Sequence, residues 1–235
     1  MGLYAIINGD VIKSTAMSPK AKEEFMKGLQ KGFETLKKSK ALGIIKNFEI
    51  YRGDSFQGAL EKPEMALRTV LLLRSLSRKS QPTNTKVNPF KGKVFLNSAF
   101  DVTDLRIAVG IARISILAHK LMESDGDAFR ISGQLFDSMR RYGPNLTIET
   151  SFPEINKELE VSWALVDAIV NKWTRLQAEA VYYCLLGYSQ VEIANQFVKV
   201  SPPALSQRLR GAGWSALEKM INYFEEMIRL KIQSS

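Results

Sequence analysis

Asp10 and Asp54 are the residues best placed by type and setting to do chemistry. Each follows a glycine and closes an apolar, strand-like run: Tyr4-Ala5-Ile6-Ile7 leads into Asn8-Gly9-Asp10-Val11, and Phe48-Glu49-Ile50-Tyr51 into Arg52-Gly53-Asp54-Ser55. If the two strands are neighbours, both carboxylates lie at one end of a sheet. Their oxygens would suit Mg²⁺ or Mn²⁺, which take a few carboxylates together with phosphate and water. The glycines would let backbone or ligand come close. Gly-Asp pairs are also ordinary turn chemistry, and that reading stays open.

Little else in the chain competes for a catalytic role. Cys184 stands alone in a helical apolar pattern, which excludes disulfides and a cysteine-based metal site and predicts a buried packing role. The lone histidine, His119, has no nucleophile or carboxylate motif beside it. The 235 residues carry a net charge of +9. From Glu160 onward basic and acidic residues nearly balance, so the excess lies in the first two thirds, around Lys37, Lys38, Lys40 and Lys46 and from Arg74 to Lys93. Such a surface suits nucleic acid or nucleotide phosphates, or is simply a solvated face. With 45% hydrophobic residues the chain can bury a sizeable core. It contains no apolar run of membrane-spanning length and no signal-peptide pattern at its start, so the expected location is the cytoplasm.

The elements that must hold the two aspartates read as a mixed fold. Residues 3–8 are apolar and β-prone, as in a strand buried on both faces. Ser18-Pro19 opens a helix in which Phe25, Leu29, Phe33 and Leu36 recur at helical spacing. Residues 44–51 and 55–60 form a hairpin about Gly53-Asp54, and Pro63 starts a second helix over 64–77. Residues 80–103, with Pro82 and Pro89 and only a short apolar run at Val94-Phe95-Leu96, read as a long excursion. Asp104–Ile111 restores a strand and completes β-α-β-β-α-β, the ferredoxin-like arrangement. A turn at Ser124–Asp127 precedes a helix over 128–141, and 146–149 is a further strand. The expected class is therefore α+β, with a ferredoxin-like domain over residues 1–150 and an all-helical domain over 151–235.

Within the second domain, Thr174 caps a helix ending near Gly187, and Ser189 with Glu192 forms a capping box for the next. After a short turn Ser201 caps a third, Pro202–Arg210, studded with Ser206, Gln207, Arg208 and Arg210. This is the pattern of a helix-turn-helix, and a plain three-helix bundle has no need of that polar set on its last short helix. Lys199, Ser201, Ala204, Ser206, Gln207, Arg208 and Arg210 are the candidate DNA contacts, through phosphates and base edges. The final stripe of Leu217, Met220, Ile221, Phe224, Met227 and Ile228 would either join two copies in a homodimer on a two-fold site or pack within the bundle.

The succession Gly9-Asp10-Val11, Gly53-Asp54-Ser55-Phe56-Gln57, Leu105–Gly110, Ser124–Phe129 and the terminal helix-turn-helix resembles the SatD family of bacterial proteins. The first part is also similar, more remotely, to the palm-like domain of class III nucleotide cyclases, and the last to sigma-factor region four. The cyclase resemblance implies a pair of metal ions on Asp10 and Asp54 and nucleotide contacts at Gly9, Val11, Gly53, Ser55 and Asp127. The positions of the family's transition-state asparagine and arginine carry Arg130 and Gln134, and that of its base-selecting lysine carries Ile50. Losing these donors argues against cyclisation. In the sigma-like part the usual glycine of the turn falls near Val198-Lys199, in a turn one residue longer. The resulting expectation is a DNA-binding transcriptional regulator whose first domain senses a nucleotide or other phosphorylated ligand. The alternatives are a metal-dependent nucleotidyl or phosphoryl transferase and a ligand-free protein interaction module.

Overall fold

The structure is a computed structural model and describes residues 2–45, 48–51, 53–80 and 103–234. Its five strands are β1 (Leu3–Val11), β2 (Glu49–Tyr51), β3 (Ser55–Leu60), β4 (Leu105–Arg113) and β5 (Leu146–Thr150), in the spatial order β2-β3-β1-β4-β5. β1 is antiparallel to β3 and β4, whereas β5 joins β4 in parallel. The expected β-α-β-β-α-β unit is thus present and extended by one strand. Ala5, Ile6 and Ile7 in β1 are fully buried, because both faces of this central strand are covered.

One face carries α1 (Pro19–Lys37) and α2 (Ala66–Lys79). Ser18 caps α1 by accepting from the Ala21 N–H, and Phe25, Leu29, Phe33 and Leu36 point inward as their spacing predicts. Phe33 meets Phe48 and Phe56 at ring-centroid distances of 4.9 and 5.2 Å, which seats α1 on the hairpin. The other face carries α3 (Asp127–Tyr142), over a small cluster that includes Ile6, Ala59, Ala112 and Ala128.

Three expectations are corrected. The hairpin's first strand is not continuous from Ile44: Ile44 bridges to Leu60, and pairing resumes only at Glu49. The second helix does not begin at Pro63; residues Pro63–Met65 make a tighter turn and α2 starts at Ala66. Arg74 and Arg78 are also not part of a basic surface, since every residue of α2 from Thr69 to Arg78 is buried. The short run at Val94–Leu96 lies outside the described residues.

The cause of α2's burial is the C-terminal part. It comprises α4 (Pro153–Val170), α5 (Arg175–Leu185), α6 (Gln190–Glu192, continued by a wide turn over Ile193–Phe197), α7 (Pro202–Gly211) and α8 (Trp214–Gln233). α5 and α8 pack on the outer side of α2, α4 on β5 and α7 on α5, so that one hydrophobic core runs from the sheet through α2 to Trp163, Val181, Leu205 and Phe224. The change from sheet to helices falls at Thr150, but the apolar packing does not stop there. Leu217, Ile221, Phe224 and Ile228 of α8 are buried in this core and packed within their own chain. No helix is long and apolar enough to cross a membrane among the described residues.

Candidate functional site

Asp10 and Asp54 do lie at the same end of the sheet. Asp10 stands opposite Ser55, the residue after Asp54, on one side and opposite Arg106 on the other. The alternation of β4 turns Arg106 to the same face as Asp10, and the two pair bidentately, Nε to Oδ1 at 3.1 Å and Nη2 to Oδ2 at 2.5 Å. Beyond the strand, Lys13 takes a left-handed conformation (φ 59°) that brings the Ser14 hydroxyl to donate to Asp54. A polar row continues along the face: Gln57 donates to Asn8 Oδ1, and Asn8 donates to the Ser132 hydroxyl on α3, both at 2.9 Å. Arg106 also sits 5.8 Å from the Phe136 ring centroid.

The two glycines have different reasons to be there. A Cβ on Gly9 would come within 2.3 Å of the Phe56 ring, so its place is fixed by packing on the side of the sheet away from Asp10. Gly53 has φ +79° and open space around it, as a turn glycine does. Val11 is buried in the core, and Ser55 is buried opposite Asp10.

This donor set does not offer a ready cation site. Both oxygens of Asp10 are engaged by Arg106, and no group of three or more His, Cys, Asp or Glu residues is gathered among the described residues. Asp127 is not brought to the other candidates either. It opens α3, where Arg130 binds it at 2.6 Å, while the Met139 carbonyl of the same helix is the one near Arg106. At about 1.5 Å of rise per residue, roughly 18 Å of helix separates those two points.

The segment read from sequence as a helix-turn-helix folds from local signals. Both side-chain and backbone halves of the capping boxes are made at Thr174–Gln177 and Ser189–Glu192. Phe197 stacks on Tyr183 at 4.4 Å and meets Tyr188 at 4.5 Å, closing the second helix on α5. The second helix ends in a widened turn, Val198 N–H donating to Ile193 C=O at 2.9 Å. Lys199 then takes φ 51°, the conformation for which glycine is usual. Ser201 occupies the cap position of α7, but its side chain makes no capping bond, contrary to expectation. Pro202 and Pro203 have removed two of the first-turn N–H groups, which leaves little for a cap to satisfy.

On α7, Ser201, Gln207 and Arg210 are exposed, and Ala204 and Ser206 partly so. Lys199 is exposed in the turn. Arg208 differs from its neighbours: it turns back toward Glu179 on α5, 4.0 Å away, with its side chain 20% exposed. Leu205 and Leu209 hold the inner side of the helix.

A constellation that the sequence reading missed joins the two parts. Arg74, fully buried on α2, contacts Asp104 before β4 (Nε to Oδ1, 3.0 Å), Asp167 on α4 (2.6 Å) and Asn171 (2.7 Å). Arg78 binds Asp104 at 2.8 Å and the Trp173 carbonyl at 2.6 Å, and the Trp173 indole donates to the Ala212 carbonyl at 2.9 Å. Two guanidiniums thus face two carboxylates. Burial alone would push Asp104 up, but Arg74 and Arg78 outweigh it and hold its carboxyl below the usual range. Burial likewise opposes the charge on Arg74, and the two carboxylates more than restore it. Cys184 is buried as expected, its thiol pushed up to about 12 mainly by that burial.

No protein-family model matches the chain and no curated protein matches it, so the SatD-like and sigma-like resemblances stand on their motifs alone. Among solved structures the chain is similar to the catalytic core of a rhodopsin-guanylyl cyclase of converted specificity in complex with ATPαS, at 14% identity over 58% of this chain and 72% of that one, TM-score 0.41. It is similar also to the non-canonical dimeric guanylyl cyclase domain of the RhoGC fusion protein from the aquatic fungus Blastocladiella emersonii (15% identity, 59% and 75% covered, TM-score 0.37). A bacterial light-regulated adenylyl cyclase matches at 13% identity, 63% and 75% covered, TM-score 0.36. These neighbours are all nucleotide cyclases or parts of them, and at such identities and scores they fix neither ligand nor activity for this chain.

Proposed function

We propose that the protein is a DNA-binding regulator that reads duplex DNA with α7. The observation that carries this is the outer side of α7, where Gln207 and Arg210 are exposed one turn apart behind a turn bearing exposed Lys199. Arg can fork onto guanine and Gln onto adenine in the major groove, while Lys199 and Ser201 contact phosphates. Arg208 is reassigned from base reading to holding α7 against α5.

The expected result of a titration with labelled duplexes, a selected site against scrambled DNA at several salt concentrations, is binding that weakens as salt rises. Arg210→Ala should cost about 1–3 kcal/mol at one preferred base pair, whereas Lys199→Ala should weaken all sequences alike and flatten the salt dependence. A folded protein with no salt-dependent binding to any duplex ends this reading and leaves the helices as a protein interaction module.

A second reading concerns the sheet end, as the place where a nucleotide or other phosphorylated ligand is sensed. It is favoured by the Asp10–Arg106 pair, since a phosphate could take the guanidinium and release a carboxylate beside Asp54. Mg²⁺ or Mn²⁺ would then accompany the phosphate, and no catalytic step is derived from it. A thermal-shift panel of nucleotides with and without Mn²⁺ tests this. A ligand at about 100 times its dissociation constant adds about 2.7 kcal/mol, and Asp10→Asn with Asp54→Asn should abolish any metal-dependent part of the shift. A metal-dependent shift that persists in the double variant makes these turn residues.

A further inference from the structure

The outward side of α4 has a pattern that neither the sheet end nor α7 uses. Glu154, Glu158, Val161, Leu165, Ala168 and Lys172 are all exposed, and they follow one another at intervals of four, three, four, three and four. That is the seam spacing of a coiled coil. It is separate from the inward stripe of Ile155, Leu159, Trp163, Val166 and Val170, which is buried. Val161 and Leu165 at its centre are 68% and 62% exposed. Single exposed apolar residues are common, but two on adjacent turns, with small Ala164 and Ala168 alongside, form a strip that a second helix could approach closely.

We propose that this face of α4 is the contact between two copies of the chain, paired antiparallel about a two-fold axis between Val161 and Leu165. The charges select both the occupant and the direction. In the antiparallel register Val161 meets the partner's Leu165, Glu158 meets the partner's Ala168, and Glu154 meets the partner's Lys172. A parallel pairing would set Glu154 against the partner's Glu154 and Lys172 against the partner's Lys172. The strip is thus acidic at its start, basic at its end and apolar between, which makes it complementary to itself only when reversed. Opposed helix dipoles favour the same direction. Lys231 and Tyr223 of the same chain engage Oε1 of Glu154 and of Glu158, which fixes both side chains and offsets part of the charge at that end, leaving Oε2 of each for a partner. The helical part of the seam, Glu154 to Ala168, is about 21 Å long at 1.5 Å per residue, with Lys172 in the turn just past the end of α4, a small interface of the kind that supports reversible association.

Sedimentation equilibrium of the full chain over protein concentrations from about 1 to 200 µM reads the association directly. The expected result is a monomer–dimer equilibrium that Leu165→Glu weakens about a hundredfold, because the substitution enters a two-fold contact twice. Val191→Glu, at an equally exposed apolar residue elsewhere, should leave it unchanged. Lys172→Glu should weaken the dimer and Glu154→Lys with Lys172→Glu should restore it. A Val161→Cys/Leu165→Cys variant should cross-link into a dimer under a mild oxidant, with buried Cys184 not competing. A monomer throughout the range, a dimer indifferent to Leu165→Glu, or a double-cysteine variant that fails to cross-link would overturn the proposal. None of these outcomes depends on DNA binding.

Discussion

Two arginine–aspartate groupings lie close together about the start of β4 and have opposite characters. Arg74, Arg78, Asp104 and Asp167 form a balanced set sealed between α2, β4 and α4, with Arg74 wholly enclosed. Arg106 and Asp10, two residues further along the strand, form a single pair whose side chains are 21% and 12% exposed. The chemistry is the same and the surroundings differ. The enclosed set has its charges matched by one another and a further guanidinium N–H taken by Asn171, which suits a structural part; the open pair is the one the proposed reading has exchange its partner for a ligand. Burial, more than residue type, separates scaffold from site here.

The sharpest way to break this contrast is to remove one member of the enclosed set. Asp104→Ala leaves Arg74 with Asp167 and Arg78 with no carboxylate at all, and should cost about 3–5 kcal/mol in urea unfolding, the usual result of stranding a buried charge. A loss below about 1 kcal/mol would mean that the set is hydrated and no different in kind from the open pair.

A second test uses acid. The folded carboxyl of Asp104 titrates below its unfolded value of about 3.9, so its contribution is complete above that pH and is lost as pH falls toward the lower folded value. Unfolding free energy should therefore drop with a steeper slope below about pH 4 in the wild type than in Asp104→Asn. Equal slopes in the two proteins would remove Asp104 from the account.

The smallest effect is expected at the open pair. Arg106→Ala should cost about 1–3 kcal/mol of stability, less than Asp104→Ala, since solvent reaches the largely buried Asp10 enough to take over part of the role of the lost partner. Any thermal shift by a phosphorylated ligand should vanish with it. A larger stability loss than in Asp104→Ala would reverse the comparison.

What could be read from the residues alone was what neighbours in sequence decide. The capped start of α1 at Ser18, the two capping boxes, the Gly53 turn and the inward stripe of α1 are all settled within one or two helical turns. The pairing of Asp10 with Arg106 was not legible, because it depends on strand register between residues 96 positions apart. A polar residue interrupting the apolar run Leu105–Ile111 was the only local sign of it. The enclosed set was missed for a related reason. Arg74 and Arg78 look like the solvent side of an amphipathic helix until the C-terminal helices cover that side. Asp127 was grouped with the wrong end of the sheet because a motif does not state the direction of the helix that follows it. Arg208 shows the same limit on α7, where only the packing tells an inward arginine from the outward Arg210.

Trp173 gives this arrangement a further meaning. Its carbonyl holds Arg78 and its indole holds the end of α7, so one residue ties α7 to the buried arginine of α2. The apparent seam near residue 150 is therefore not a place where the chain can be cut or recombined. A fragment stopping there would carry Arg74 and Arg78 without Asp167, Asn171 and Trp173, and would bare the outer side of α2.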